Sequence, residues 1–224
     1  MTNLARKCAL LLAALLAACS SQPPTPDWQM TAHSAVERFQ AAWLAGDTRL
    51  AKLEFTQARA AIASSGELEL MARLELIRCA TQVASLDFEA CSSFQAVRQD
   101  VSAAQLAYWA YLDGHAGMAD LALLPQSQRA PASASTDAAA IGALQAIDDP
   151  LSRLVAAGVL LRSGRASPAL LTIAVDTASS QGWRRPLLAW LGVQARVAEQ
   201  AGAMAEAQRI RRRIALVQSS SWVR

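Results

Sequence analysis

The chain is short of the residues from which most catalytic centres are built. Its 224 residues include only two histidines, His33 and His115. Neither stands at a metal-binding or triad spacing. No H-E-x-x-H helix, G-x-S-x-G elbow, G-x-x-x-x-G-K-[ST] phosphate loop or G-x-G-x-x-G turn occurs anywhere. Glu67 and Glu69 alternate, so on a helix they point apart, and Asp148 with Asp149 reads as capping chemistry. Zinc-hydrolase, serine-hydrolase, P-loop and dinucleotide chemistry therefore have no carrier, and no catalytic residue, metal or cofactor is expected. Runs of β-branched residues are scarce, which leaves little to make a sheet. Beyond residue 18 no apolar stretch reaches the roughly 20 residues of a membrane-spanning helix: Leu154–Leu161 and Leu187–Val193 are both interrupted by Arg, Gly or Gln.

What the chain has in abundance is alanine, at 50 of 224 positions, together with Leu, Arg, Gln and Glu. This is the composition of helices. Apolar residues recur at three-to-four spacing from about Thr31: Ala35, Phe39, Ala42 and Trp43, then a break at Gly46-Asp47, then Leu50, Leu53 and Ile62. That pattern predicts a helical hairpin. A third helix is expected from Glu67 to about Ser85, with Leu68, Met71, Leu74, Ile77 and Cys79 as its apolar positions. Val101 to Leu112, carrying Tyr108, Trp109 and Tyr111, reads as a helix packed by its aromatics. Asp149-Pro150 has the form of an N-cap followed by proline at the first helical position. Helices are expected at about 150–162, 166–179, 185–201 and 203–218.

The first residues carry an address. Arg6 and Lys7 precede an apolar run, Ala9 to Ala18, that is too short to span a bilayer and ends in Leu16-Ala17-Ala18-Cys19. The segment resembles the bacterial lipoprotein leader, whose lipobox places Leu at −3, small residues at −2 and −1, and a cysteine that is lipidated after cleavage. The resemblance implies that residues 1–18 are a signal peptide and that Cys19 is acylated, palmitate being the characteristic chain, as the mature N-terminus. Ser20 in the following position implies transfer to the outer membrane, with the body facing the periplasm. An ordinary secretory leader cut near Ala18 is the alternative. Residues 19–30, with three prolines, read as an extended tether.

Export also sets the cysteine chemistry. Of four cysteines, Cys8 leaves with the leader and Cys19 takes lipid, so Cys79 and Cys91 remain. In an oxidising compartment that pair reads as a structural disulfide. Its short loop gives a stabilisation of roughly 3 kcal/mol. Neither C-x-x-C redox spacing nor zinc ligands are present.

Without Arg6 and Lys7 the charges are 19 basic against 18 acidic. Their distribution is uneven: residues 19–149 hold 8 basic and 15 acidic side chains, whereas 150–224 hold 11 and 3. Two oppositely charged faces attracting one another within the fold, or steering toward an anionic surface, both accord with this. The segment 125–137, rich in Pro, Ser and Ala, reads as a flexible loop between an N-terminal helical subdomain (31–124) and a C-terminal one (138–224).

Glycine followed five residues later by alanine occurs at Gly46/Ala51, Gly114/Ala119, Gly117/Ala122, Gly164/Ala169 and Gly202/Ala207. Glycine turns the chain between helices, and a small residue early in the second helix allows close approach. With Phe55 and Ala58, the Gly46 unit resembles the turn and second helix of the tetratricopeptide repeat. Gly46 and Gly114 lie two repeat periods of 34 apart. The expected fold is all-α: hairpins stacked as a tetratricopeptide-like array, or an irregular helical bundle.

Two spots are candidates for partner contact. Trp183, Arg184 and Arg185 sit at a turn entering a helix, where an exposed aromatic with arginines suits an interface anchor. Arg209, Arg211, Arg212 and Arg213 are the densest basic cluster, which either complements a helix dipole or meets anionic headgroups, glycan carboxylates or an acidic protein. The function these features imply is a lipid-anchored scaffold or adaptor in cell-envelope assembly or maintenance, held at the membrane by its acyl chains and bound to an envelope protein. Export argues against nucleic acid as a partner. An accessory lipoprotein binding a glycan or lipid ligand, and a peptidoglycan-active enzyme, are the alternatives.

Overall fold

Capping residues divide the chain into helices much where the sequence places them. The computed structural model describes residues 26–89 and 92–219; the leader, Cys19, most of the tether and Cys91 lie outside them. The helices are α1 (Asp27–Ala45), α2 (Thr48–Ala63), α3 (Leu68–Ala84), the single turn α4 (Ser92–Gln95), α5 (Ala103–Leu112), α6 (Gln126–Ser133), α7 (Asp137–Gln145), α8 (Pro150–Arg162), α9 (Pro168–Ser180), α10 (Arg184–Gln200) and α11 (Met204–Ser219). No strand occurs among the described residues. Asp47 caps α2 by accepting from the Leu50 amide at 2.9 Å, and Ser102 with Gln105 closes a capping box on α5. Asp149 caps α8 ahead of Pro150, and Ser167 caps α9 ahead of Pro168.

Glycines in the left-handed region end α1 at Gly46 (φ 91°) and separate α10 from α11 at Gly202 (φ 72°). At both turns the alanine five residues on, Ala51 and Ala207, is buried, so hairpins α1/α2 and α10/α11 close as expected. At the other three sites Ala119, Ala122 and Ala169 are exposed.

The hairpin α1/α2 packs through its smallest residues. Ala32, Ala35, Phe39 and Ala42 face Ala51, Ala58 and Ile62, while Leu50 and Leu53 are exposed. Alanines facing alanines bring the two axes close, so the bulkier leucines lie on the outside of α2. The expected apolar stripe of α2 is therefore corrected at both leucines. The same holds on α3, where Leu68 is half exposed and the buried stripe is Ala72, Leu76, Cys79 and Val83, with Leu74 facing α1 and α2.

The centre of the molecule is the pair α3 and α8, far apart in sequence. They cross closely at Gly158: a Cβ built there would lie 2.5 Å from the Val83 carbonyl oxygen. Around them pack α5, α6, α7 and α9, and α10 closes the body by reaching back to α1. Trp190 of α10 is fully buried and donates to the Ala84 carbonyl at 3.1 Å. The pairings α3–α8 and α1–α10 join elements that successive stacking of hairpins keeps apart.

Two expected boundaries are corrected. The tether ends at residue 26, because Asp27 supplies an acidic first turn that carries α1 back beyond Thr31. The loop expected at 125–137 is largely α6. Gln128 is buried by accepting from the Tyr111 hydroxyl at 2.9 Å and donating to the Ser152 carbonyl at 3.0 Å, and Pro131 is buried beside it. Tertiary hydrogen bonds thus turn a stretch of small polar residues into part of the core.

Candidate functional site

The charged spot expected at the surface is a joint inside the molecule. Arg185 lays its guanidinium over the Trp43 indole at 4.1 Å, donates to the Trp43 carbonyl at 2.7 Å and reaches the Thr48 hydroxyl at 2.7 Å. Burial pulls its pKa down from the ordinary guanidinium value, an effect that the Asp87 carboxylate opposes. Arg184 donates to the Val217 carbonyl at 3.3 Å, joining α10 to the end of α11. Trp183 is half-buried against the main core. The expectation of a jointly exposed Trp183, Arg184 and Arg185 is therefore corrected: their planar, multidentate groups are used up on backbone carbonyls and an indole of the same chain.

The second spot is split. Arg209 pairs with Glu206 one turn back through two bonds of 2.8 and 2.7 Å, and Arg211 pairs with Glu199 of α10 at 2.6 Å. Arg212 is exposed and Arg213 is half-buried. The two arginine groups do not converge on one pocket.

Part of the charge asymmetry is cancelled within the fold. Arg162 and Arg165 of the basic half pair with Asp113 and Asp137 of the acidic half. A separate buried network near α3 lies wholly within the acidic half: Glu75, 1% exposed, accepts from Arg59 at 2.9 Å and from Arg78 at 3.0 Å, and Arg78 also reaches Ser93. Both oxygens of this carboxylate are engaged.

The concave feature that sequence reasoning missed is a furrow over α3. Leu70, Arg73 and Ile77, at i, i+3 and i+7, form its floor. On one side a hollow of about 320 Å³ is walled by Trp28, Ala32, Val36 and Ile62 of α1 and α2. On the other a hollow of about 620 Å³ is walled by Gln105 and Tyr108 of α5, by Leu123, Leu124 and Pro125, and by Arg129 of α6. The same three residues line both hollows, so the two lie side by side along α3. Glu67 and Glu69 stand at its rim.

Its lining is mostly apolar, with a few polar groups. None of the ion pairs among the described residues involves Arg73 or Arg129. Arg129 is instead aimed by a 2.8 Å bond from its Nε to the Leu124 carbonyl, and Gln105 is held by donation to the Glu69 carbonyl at 2.9 Å. Burial raises the Tyr108 phenol well above its ordinary range, so it stays a neutral donor at any physiological pH. The sequence signal for this site was the Leu70, Arg73, Ile77 spacing. It is legible as a stripe, but nothing in one chain segment says that α1, α2, α5 and α6 rise on either side of it.

Among the described residues no group of three or more His, Cys, Asp or Glu stands where it could hold a metal ion, and no helix is long and apolar enough to cross a membrane. The architecture defines the chain as an all-α protein built on two central helices, with an open apolar furrow. No known protein family, curated protein or solved structure matches it.

Proposed function

We propose that this chain is a lipid-anchored adaptor of the bacterial cell envelope, tethered through Cys19 at the outer membrane and holding an envelope protein in the furrow over α3. The observation that carries the reading is the furrow itself. It is open rather than enclosed, its lining is mostly apolar, and Arg73, Arg129 and Tyr108 offer directional contacts among the apolar side chains. Exposed apolar hollows with a few placed polar groups suit an anchor segment from a partner. Of the two expected arrangements, an irregular bundle is favoured over a tetratricopeptide-like array, because α1–α10 and α3–α8 contacts close the body on itself.

The anchor rests on Leu16-Ala17-Ala18-Cys19. Labelling with a palmitate analogue in cells should mark the wild-type chain and spare C19A, and equal labelling of the two would remove the anchor. A Cys79–Cys91 disulfide belongs to the same reading. Cys79 is buried on α3, and Arg78 beside it bonds Ser93, which brings the segment just after Cys91 against that helix.

A photo-crosslinking residue at Arg73, compared in intact cells with one at exposed Thr172 of α9, tests the adaptor. A protein adduct of one discrete mass at position 73 only, abolished by Ile77→Glu, is the expected result. Lipid adducts alone at position 73 would replace the adaptor with the second reading, an accessory protein carrying an acyl ligand in the apolar hollows.

A further inference from the structure

The basic half of the chain spends most of its arginines internally, and what remains is concentrated on one hairpin. Arg153 donates twice to the Ile147 carbonyl, Arg162 and Arg165 meet aspartates of the acidic half, and Arg185 covers Trp43. From Arg184 to Ser219, α10 and α11 carry seven arginines against two acids, Glu199 and Glu206. Both acids are already paired, with Arg211 and Arg209. None of the ion pairs among the described residues includes Arg196, Arg212 or Arg213.

On α11 the 100° step per residue sorts these groups. Ala207 and Ile210 are buried, and Ile214 and Val217 pack against the main core, which fixes the inner face. Arg209, Arg212 and Leu216 fall on the opposite face, with Leu216 71% exposed, and Met204 at the start of the helix is 56% exposed. Cations interleaved with protruding apolar side chains are suited to a surface that is both anionic and penetrable, and a bilayer headgroup layer has both properties.

The span from Cys19 to Asp27 is eight residues, so even fully extended it reaches no more than about 28 Å. A body on so short a tether always has a bilayer within reach. We infer that the outer face of α11 lies on an anionic phospholipid surface, with Arg212 at the lipid phosphates and Leu216 at the level of the headgroups. Its relevance in the cell rests on the anchor reading, but the contact itself does not require the acyl chains.

The test uses residues 20–224, which contain every described core residue and lack the leader and the lipid. Co-sedimentation is measured with vesicles of phosphatidylcholine alone and with one quarter phosphatidylglycerol. Binding is expected only to the anionic vesicles, weakened about ten-fold between 50 and 300 mM salt. The variant R212E/L216S, altered only at the outer face, should lose about ten-fold in affinity at an unchanged melting temperature. Equal binding to neutral vesicles, no binding to anionic ones, or full retention of binding by the double variant would each overturn the inference. Binding to polyglutamate with none to vesicles would assign the face to an acidic protein instead, and overturn it as well. Because the lipid is absent throughout, failure here leaves the Cys19 assignment to its own labelling test.

Discussion

Arg185 stacks on Trp43 with its guanidinium carbon 4.1 Å from the ring centroid, across 142 positions of sequence, and its Nε donates to the Trp43 carbonyl at 2.7 Å. The same indole Nε1 reaches the Ser85 hydroxyl at 3.3 Å, so a single residue of α1 touches both α10 and the end of α3. Besides its packing on α3 through Leu74 and Glu75, the α1/α2 hairpin is held to the body by this clasp.

The first prediction concerns that clasp. A cation–π contact in a partly desolvated site, with its hydrogen bonds, contributes on the order of 1–3 kcal/mol. R185A should lower the stability by that amount and broaden chemical denaturation, as the α1/α2 hairpin comes loose before the main core. R185K, which keeps the charge but loses the planar fork, should recover less than half. Tryptophan fluorescence and circular dichroism, followed together, would show the two probes separating in R185A; coincident curves at wild-type midpoint would contradict it.

Glu75 gives the second. Its carboxylate is 1% exposed and bridges Arg59 of α2 to Arg78 of α3, while Arg78 also stacks on Phe55 at 5.3 Å. E75Q keeps the shape and removes the charge, leaving two guanidiniums facing a neutral amide. The expected loss is about 1–3 kcal/mol, because both arginines retain some solvent. Urea denaturation reads it directly, and a loss below a few tenths would mean the network is dispensable.

Two glycines in helices should respond with opposite sign. G158A puts a methyl 2.5 Å from the Val83 carbonyl, so α3 and α8 must move apart, at a cost of about 1–3 kcal/mol. G192A on α10 meets nothing within 4 Å and should gain roughly 0.5–1 kcal/mol from better helix propensity. Melting temperatures of the two variants should lie on either side of the wild type.

The chain has two tyrosines, Tyr108 and Tyr111, and they stack at 6.2 Å. Burial pushes both phenols above their ordinary range, and for Tyr111 its neighbour Tyr108 adds to the effect. Folded values above the unfolded value mean that the native state keeps protons the unfolded chain releases. The stability they contribute is complete below about pH 10 and falls as the pH rises beyond it. Absorbance at 295 nm should therefore show no phenolate at pH 11 in the folded protein, and then a sudden rise of both tyrosines together on unfolding. Gradual titration of either near pH 10 would be the contrary result.

Under oxidising conditions C79S should lower the melting temperature, by an amount corresponding to roughly 3 kcal/mol. Reductant should bring the wild type to the same point. Identical midpoints with and without reductant would dismiss the Cys79–Cys91 bridge.

Local chemistry made most helix boundaries legible, because each signal acts within one turn. Asp149-Pro150 opens α8 and Ser167-Pro168 opens α9, since a side-chain oxygen and a fixed φ satisfy the first turn wherever they occur. Tyr111 was legible as a packed aromatic, from its place in an apolar run at helical spacing. The intramolecular partners of Arg184 and Arg185 were not legible for the complementary reason: a chain segment does not reveal whether its arginines have a carbonyl or an indole waiting elsewhere in the fold.

The sequence by itself determined an all-helical body and its turns at Gly46 and Gly202, because these depend on residues a few positions apart. Only the tertiary structure decided that α3 crosses α8 at Gly158, that α6 is core rather than loop, and that α1, α2, α5 and α6 stand around Leu70, Arg73 and Ile77 to make a furrow. Those outcomes turn on whether small residues meet small residues and whether buried polar groups find partners. Both are settled between elements distant in the chain, where the sequence pattern carries no register.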